Sequence, residues 1–149
     1  MKIYMDCCCY NRPFDDLNQE RIKIESEAIM AIINRSRAGE SEIIGSEILD
    51  LEIDQIRDPE KRKNVEALHE AVDSCIQLNE KIDQRAAEIQ KQSKIHTFDS
   101  FHIAFAEAAK ADVMLTTDDK LEKMASRLQL KVTVMNPLKF VMQYMYGGD

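Results

Sequence analysis

Two patterns of apolar and polar positions alternate along the chain, one typical of buried strands and the other of amphipathic helices. Residues 1–9 are apolar at nearly every position, which predicts a buried parallel strand with Tyr4, Asp6 and Cys8 on one face. Asp6 is the single charge near the end of this segment. A charge in such a setting points to a special role.

The same alternation continues to the carboxyl terminus. Asp16 and Gln19 stand at capping-box spacing before a helical stripe that ends at Gly39. Further strands are predicted at residues 41–46, 113–116 and 131–135. Further helices are predicted at residues 47–57, 60–72, 79–93, 97–110 and 119–128, and after Pro137, with residues 75–78 as a short apolar link.

Strands that alternate with helices predict an α/β fold. We expect a three-layer α/β/α arrangement around a mostly parallel central sheet of about four to five strands. No repeat, linker or change of composition divides the chain, so residues 1–149 are predicted to form a single domain.

Composition narrows the functional classes. The chain has 27 acidic and 20 basic residues and a formal net charge of −7, which disfavours binding of polyanions through bulk positive charge. A nucleic-acid function would therefore depend on a local site, with metal. No segment has the roughly 20 apolar residues that cross a bilayer, and Cys7, Cys8 and Cys9 are adjacent rather than spaced for disulfides. We expect a soluble, intracellular protein with reduced thiols.

Acidic residues follow the predicted strands. Asp6, Glu47 and Asp118 lie at or just after strand ends, and Asp99 opens the helix that precedes the third strand. The carboxyl ends of parallel strands meet at one edge of a sheet, so these acids are expected to lie close together. Crowded carboxylates require a cation or protons, and oxygen ligands favour Mg²⁺ or Mn²⁺. Such ions commonly serve hydrolysis of phosphodiesters.

Each of these acids also has a simpler structural explanation. Asp99 suits a helix N-cap, and Glu47 is favoured in a first helical turn by the helix dipole. Asp118 and Asp119 are equally suited to a turn before a helix, and the residues alone do not separate them. The adjacent cysteines fit small buried apolar residues better than a metal site.

Several motifs together carry a resemblance to a known family. They are residues 2–6 (KIYMD), 11–16 (NRPFDD), 98–106 (FDSFHIAFA), 111–119 (ADVMLTTDD) and 135–137 (MNP). This set resembles the PIN-domain family over essentially the whole chain, and residues 97–119 are its most specific part.

The resemblance implies a metal-dependent ribonuclease fold like that of the VapC-like toxins of toxin–antitoxin systems. It also implies a cytoplasmic prokaryotic setting, RNA as substrate, a homodimer and an antitoxin partner. The acids carried over by motif, which would hold Mg²⁺ or Mn²⁺, are Asp6, Glu47, Asp99 and Asp118. Thr116 would be the supporting hydroxyl, Glu52 lies near Glu47 as an alternative second acid, and Cys8 occupies a position where the family usually has Ser, Thr or Asn.

Three further side chains are candidates for substrate binding. Arg12 and Lys120 would contact a phosphate if the fold brought them to the site, but a solvated surface is the simpler explanation of both. His102 follows Asp99 by three residues and either reaches the site or packs within its helix.

The functional hypothesis is an endoribonuclease that hydrolyses RNA phosphodiesters by metal-activated water. One alternative is a catalytically weak or inactive PIN-like module that binds RNA or a protein. Another, a DNA nuclease or nucleotide hydrolase, keeps the site and changes the substrate.

Overall fold

A parallel sheet forms the centre of the computed structural model, which describes residues 1–147. The strands found in these residues are β1 (Lys2–Met5), β2 (Glu42–Ser46), β3 (Ser74–Ile76), β4 (Val113–Leu115) and β5 (Thr133–Met135). Their order is β3-β2-β1-β4-β5, and every pairing is parallel. The mostly parallel sheet of about four to five strands is therefore confirmed.

Helices cover both faces of this sheet. They are α1 (Cys7–Asn11), α2 (Glu20–Arg37), α3 (Glu47–Asp54), α4 (Pro59–His69), α5 (Glu80–Gln92), α6 (Thr97–Ala108), α7 (Asp119–Ala125) and α8 (Pro137–Phe140). A 3₁₀ turn at Arg12–Phe14 follows α1, and a π-helical turn at Val141–Met145 follows α8. Within residues 1–147, no helix has the length and apolar character needed to cross a membrane.

The core is divided by the sheet into two clusters. Ile3 and Met5 of β1 belong to the cluster beneath α1, α2 and α3, whereas Tyr4 points into the cluster beneath α5 and α6. Successive strand residues point to opposite faces, so one short strand supplies both clusters. The three-layer α/β/α architecture is confirmed.

The strand predicted at residues 1–9 is wrong beyond Met5. Asp6 has extended backbone angles, and its side chain accepts a hydrogen bond from the Cys9 N–H, which makes Asp6 the N-cap of α1. Cys7 and Cys8 are therefore helical. A continuous apolar run fits a buried helix as well as a buried strand, so periodicity alone does not separate the two.

Other predictions differ at element boundaries. The link at residues 75–78 includes part of β3, in which Cys75 pairs with Gly45 of β2. Helix α2 begins at Glu20 because Asp16 accepts the Asn18 N–H at 3.1 Å, which stabilises a turn instead. Helix α6 begins at Thr97, so Asp99 lies inside its first turn and does not cap it.

The remaining helix starts follow their local signals. The N-cap side chains of α3, α4, α5 and α8 accept backbone N–H groups from the first turns of their helices, and they are Ser46, Asp58, Asn79 and Asn136. Gly39 follows α2 with a φ of +83°, a conformation that suits glycine after a helix end.

Candidate metal centre

Four carboxylates meet at the carboxyl edge of β1 and β4. They line a cavity of about 120 Å³, whose lining residues are Asp6, Cys7, Cys8, Glu52, Asp99, His102 and Asp118. Among these described lining residues there is no lysine or arginine. The cavity is consequently rich in negative charge with one imidazole beside it.

Asp6 lies at the junction between the end of β1 and the start of α1. Its Oδ1 accepts the Cys8 thiol at 2.7 Å and the Cys9 N–H at 3.3 Å. The residue is buried, and its own N–H donates to the Leu115 carbonyl of β4 at 3.1 Å. Burial and the neighbouring Cys8 thiol raise the pKa of Asp6 well above its usual range.

The loop after β4 brings Asp118 to the cavity. The Thr116 hydroxyl accepts the Asp118 N–H at 3.1 Å and lies 3.6 Å from Cys8 Sγ. Asp118 also caps α7 by accepting the N–H groups of Lys120 and Leu121. The Asp119 carboxylate instead pairs with Arg21. Of these two adjacent acids, Asp118 is the one that lines the cavity.

Asp99 approaches from the first turn of α6. Burial raises its pKa to about 6, with a contribution from the negative charges of Asp6, Asp118 and Glu52, while His102 acts in the opposite direction. The neighbouring carboxylates therefore add to the effect of burial on Asp99.

The fourth carboxylate of the cavity is Glu52. Glu47 is exposed, accepts the Leu78 N–H at 3.0 Å, and borders a separate apolar groove that includes Phe101. The two glutamates are five positions apart, so they lie about 140° apart around the helix axis, since each residue turns about 100°. The structure therefore brings Glu52, and not Glu47, together with Asp6, Asp99 and Asp118.

A buried hydrogen-bond network positions Glu52. His102 Nε2 contacts Glu52 Oε1, and His102 Nδ1 lies 2.6 Å from the Tyr4 hydroxyl. Tyr4 Oη in turn lies 2.6 Å from Ser46 Oγ, which accepts the Leu49 N–H. Sequence reasoning assigned no role to Tyr4. The sequence signal that could have indicated a role for Tyr4 is its position on the same predicted strand face as Asp6.

The basic candidates lie away from the cavity. Arg12 Nε donates to Glu25 Oε1 at 2.9 Å, and Arg12 is not among the lining residues. Lys120 is exposed and reaches Asp118 through its backbone N–H. Neither the Arg12 nor the Lys120 side chain therefore brings a positive charge to the cavity.

The side chain of Glu25 is the centre of a separate buried ion-pair network. It is 2% exposed, and it accepts hydrogen bonds from Arg12, from Arg21 at 3.2 Å and from Asn136 at 2.6 Å. Arg21 also pairs with Asp119 at 2.7 Å. This network ties α2 to the loops that follow β4 and β5.

Comparison with known proteins identifies the family. A family model described as PIN domain matches residues 18–127, a range that includes Glu52, Asp99 and Asp118. The chain belongs to the PIN-domain family. The resemblance seen in the sequence motifs is thereby confirmed. No curated protein matches the chain.

Solved structures place this PIN domain among chains of the same fold. A chain of VapBC2 from Rickettsia felis, solved bound to a DNA fragment from their promoter, matches with a TM-score of 0.61 and 14% identity, over 91% of this chain and 98% of that chain. A chain of VapBC-1 from nontypeable Haemophilus influenzae matches with a TM-score of 0.57 and 18% identity, over 92% and 98%. At these identities the likeness shows the fold.

The donor set of this PIN domain fits a hard divalent cation. Asp6, Glu52, Asp99 and Asp118 offer carboxylate oxygens, which Mg²⁺ and Mn²⁺ prefer. Burial raises the pKa values of Asp6 and Asp99, and the neighbouring carboxylates raise that of Asp99 further. A divalent cation would reduce this cost of holding negative charge in the cavity. These four side chains are the ones that could hold the ion.

Proposed function

We propose that this PIN domain is a divalent-metal-dependent endoribonuclease. The observation that carries the proposal is the convergence of four carboxylates on a small cavity whose described lining contains no lysine or arginine. Such a site suits Mg²⁺ or Mn²⁺ and suits hydrolysis of phosphodiesters. Family membership favours a nuclease over other metal-dependent activities.

The proposed roles follow from the contacts of each side chain. A bound Mg²⁺ or Mn²⁺ supplies activation of water and neutralisation of phosphate charge. The ion would be held by Asp6, Glu52, Asp99 and Asp118. Glu52 replaces Glu47 in this proposal because Glu47 borders a different groove.

Supporting side chains fix the orientation of these acids. Cys8 donates to Asp6, and Thr116 accepts the Asp118 N–H, so these two side chains hold the Asp6 carboxylate and the Asp118 backbone. His102 holds Glu52 from the opposite side. Preorganised ligands of this kind lower the cost of binding an ion and of aligning substrate.

We also propose that the chain is the toxin of a toxin–antitoxin pair in a prokaryotic cytoplasm. The support is that both solved structures described above are VapBC proteins of the same fold. An antitoxin protein would then be its partner. Exposed apolar side chains near the carboxyl terminus, Met142, Tyr144 and Tyr146, support a homodimer contact.

The proposed activity is tested by incubating purified protein with a mixed RNA pool in Mn²⁺, in Mg²⁺ or in chelator. A single-stranded DNA pool of matched lengths is treated in parallel, beside Asp6→Asn and Asp99→Asn proteins shown to be folded by circular dichroism. We expect the wild type alone to cut RNA, and only with metal. Equal cutting by wild type and variants would contradict the proposal.

A binding module is the second candidate. Cys8 in place of the usual hydroxyl or amide, and the net charge of −7, favour it. Tight RNA or protein binding without cleavage, unchanged in Asp99→Asn, would support this alternative. Preferential cutting of the DNA pool would keep the site and change the substrate.

A further inference from the structure

Cys8 places a sulfur atom inside the candidate metal centre. Its Sγ lies 2.7 Å from Asp6 Oδ1, 3.6 Å from Thr116 Oγ1 and 3.4 Å from the Thr117 nitrogen. The residue is partly buried and lines the cavity. A thiol in this position is therefore directed at the same space as the carboxylates.

The potential ligand atoms here are close enough to share one ion. Those of Asp6, Cys8 and Cys9 all lie within 4.8 Å of one another. Sulfur and oxygen bound to one tetrahedral Zn²⁺, at about 2.3 and 2.1 Å, are about 3.5 Å apart, so small shifts of Asp6 and Cys8 suffice. Cys9 is fully buried, donates to the Leu115 carbonyl at 3.4 Å and does not line the cavity. Of these three residues, Asp6 and Cys8 line the cavity.

We propose that Cys8 and Asp6 form a mixed thiolate–carboxylate site for a thiophilic divalent cation such as Zn²⁺ or Co²⁺. Asp99 and Asp118 are the neighbouring acids available to complete it. This inference rests on the proposed metal centre and changes its selectivity, since a thiolate favours Zn²⁺ and Co²⁺ over Mg²⁺. When the ion binds, the Cys8 S–H proton passes to solvent and a sulfur lone pair forms the metal–sulfur bond, with no change of oxidation state.

Cobalt provides a direct probe of the sulfur ligand. Metal-free protein is titrated with Co²⁺, and its visible d–d bands and near-ultraviolet thiolate-to-cobalt charge-transfer band are recorded. We expect both in the wild type, loss of the charge-transfer band in Cys8→Ser and in Cys8→Ala, and roughly tenfold or greater loss of Co²⁺ affinity in both. Cys75→Ser is the matched control, because Cys75 is an exposed thiol on β3, and its spectrum should equal that of wild type.

Competition completes the test. Zn²⁺ should displace Co²⁺ from the wild type at near-equal concentration, whereas a hundredfold excess of Mg²⁺ should leave the charge-transfer band unchanged. Cobalt d–d bands without a charge-transfer band in the wild type, or a charge-transfer band that persists in folded Cys8 variants, would overturn the sulfur ligand and leave the metal centre standing. Failure of the wild type to bind Co²⁺, Mn²⁺ or Mg²⁺ would overturn the metal centre itself.

Discussion

The imidazole of His102 joins the carboxylate of Glu52 across the contact between α3 and α6. His102 is 1% exposed, and its other ring nitrogen lies beside the Tyr4 hydroxyl. The orientation of Glu52 in the cavity is thus tied to the interior of the protein. Partners of this kind usually fix a metal-ligating carboxylate in one rotamer.

Replacement of His102 by alanine is expected to weaken Mn²⁺ binding about 10- to 100-fold, because Glu52 loses the contact that orients it. Isothermal titration calorimetry of folded protein measures the effect. His96→Ala is the matched control, since His96 is exposed at the start of the same helix and makes no side-chain cap. A loss of stability in His102→Ala with unchanged Mn²⁺ affinity would show that the residue is only structural.

Glu52→Gln and Glu47→Gln should differ sharply in activity. We expect Glu52→Gln to reduce RNA cleavage at least about 100-fold, because it removes one charged ligand of the cavity. Glu47→Gln should retain cleavage within about twofold, because Glu47 borders the other groove. Rates of cleavage of one defined RNA in Mn²⁺ compare the two variants, and the opposite order of effects would return Glu47 to the site.

Asp99→Asn should change the pH dependence of stability in chelator. The pKa of Asp99 is raised to about 6, so its favourable contribution to folding is complete below about pH 4 and is lost as pH rises through about 6. The side chain of asparagine does not ionise, so the variant does not lose stability in this way as pH rises. At about pH 7.5 we expect Asp99→Asn to be more stable than wild type by about 1 kcal/mol, after allowance for the screening of a partly exposed group.

Urea denaturation at about pH 4.5 and about pH 7.5 measures this difference, which should fall to about a third at the lower pH. Addition of Mn²⁺ at the higher pH should reverse the order, because only the wild type retains the full set of ligands. A difference between the two proteins that is independent of pH would contradict the argument.

Glu25→Gln should destabilise the fold by about 3 kcal/mol, because it removes the negative partner of a buried network and leaves Arg12 without it. Urea denaturation measures the free energy of unfolding. Glu27→Gln is the matched control, since Glu27 is exposed on the same helix and should change stability by less than about 0.5 kcal/mol. Equal effects of the two substitutions would refute the role of burial.

Local signals predicted most of the helix starts. Ser46, Asp58 and Asn79 are N-cap residue types placed directly before helical stripes, and each accepts a first-turn N–H as expected. These signals act within three or four residues, so they can be read from the sequence. β3 escaped prediction because it has only three residues and lies at the edge of the sheet, where Ser74 and Cys75 are exposed, so it lacks the buried apolar pattern of the other strands.

The site was harder to predict where it depends on the direction in which a side chain points than where it depends on the position of a residue along the chain. Strand topology indicated which acids lie at the carboxyl edge, and the structure places Asp6, Asp99 and Asp118 there together. The choice between Glu47 and Glu52 depends on how α3 is rotated against the sheet. The buried link from Tyr4 to His102 spans 98 residues, and only the folded chain brings the two together.

The order of the strands in the sheet differs from the order in which the ribosome synthesises them. β1 is synthesised first but lies at the centre of the sheet, and its neighbour β4 begins only at Val113. Asp6 therefore leaves the ribosome long before Asp118 exists to face it. A nascent chain therefore cannot carry out the reaction of this cavity on its own mRNA until synthesis of the chain is well advanced.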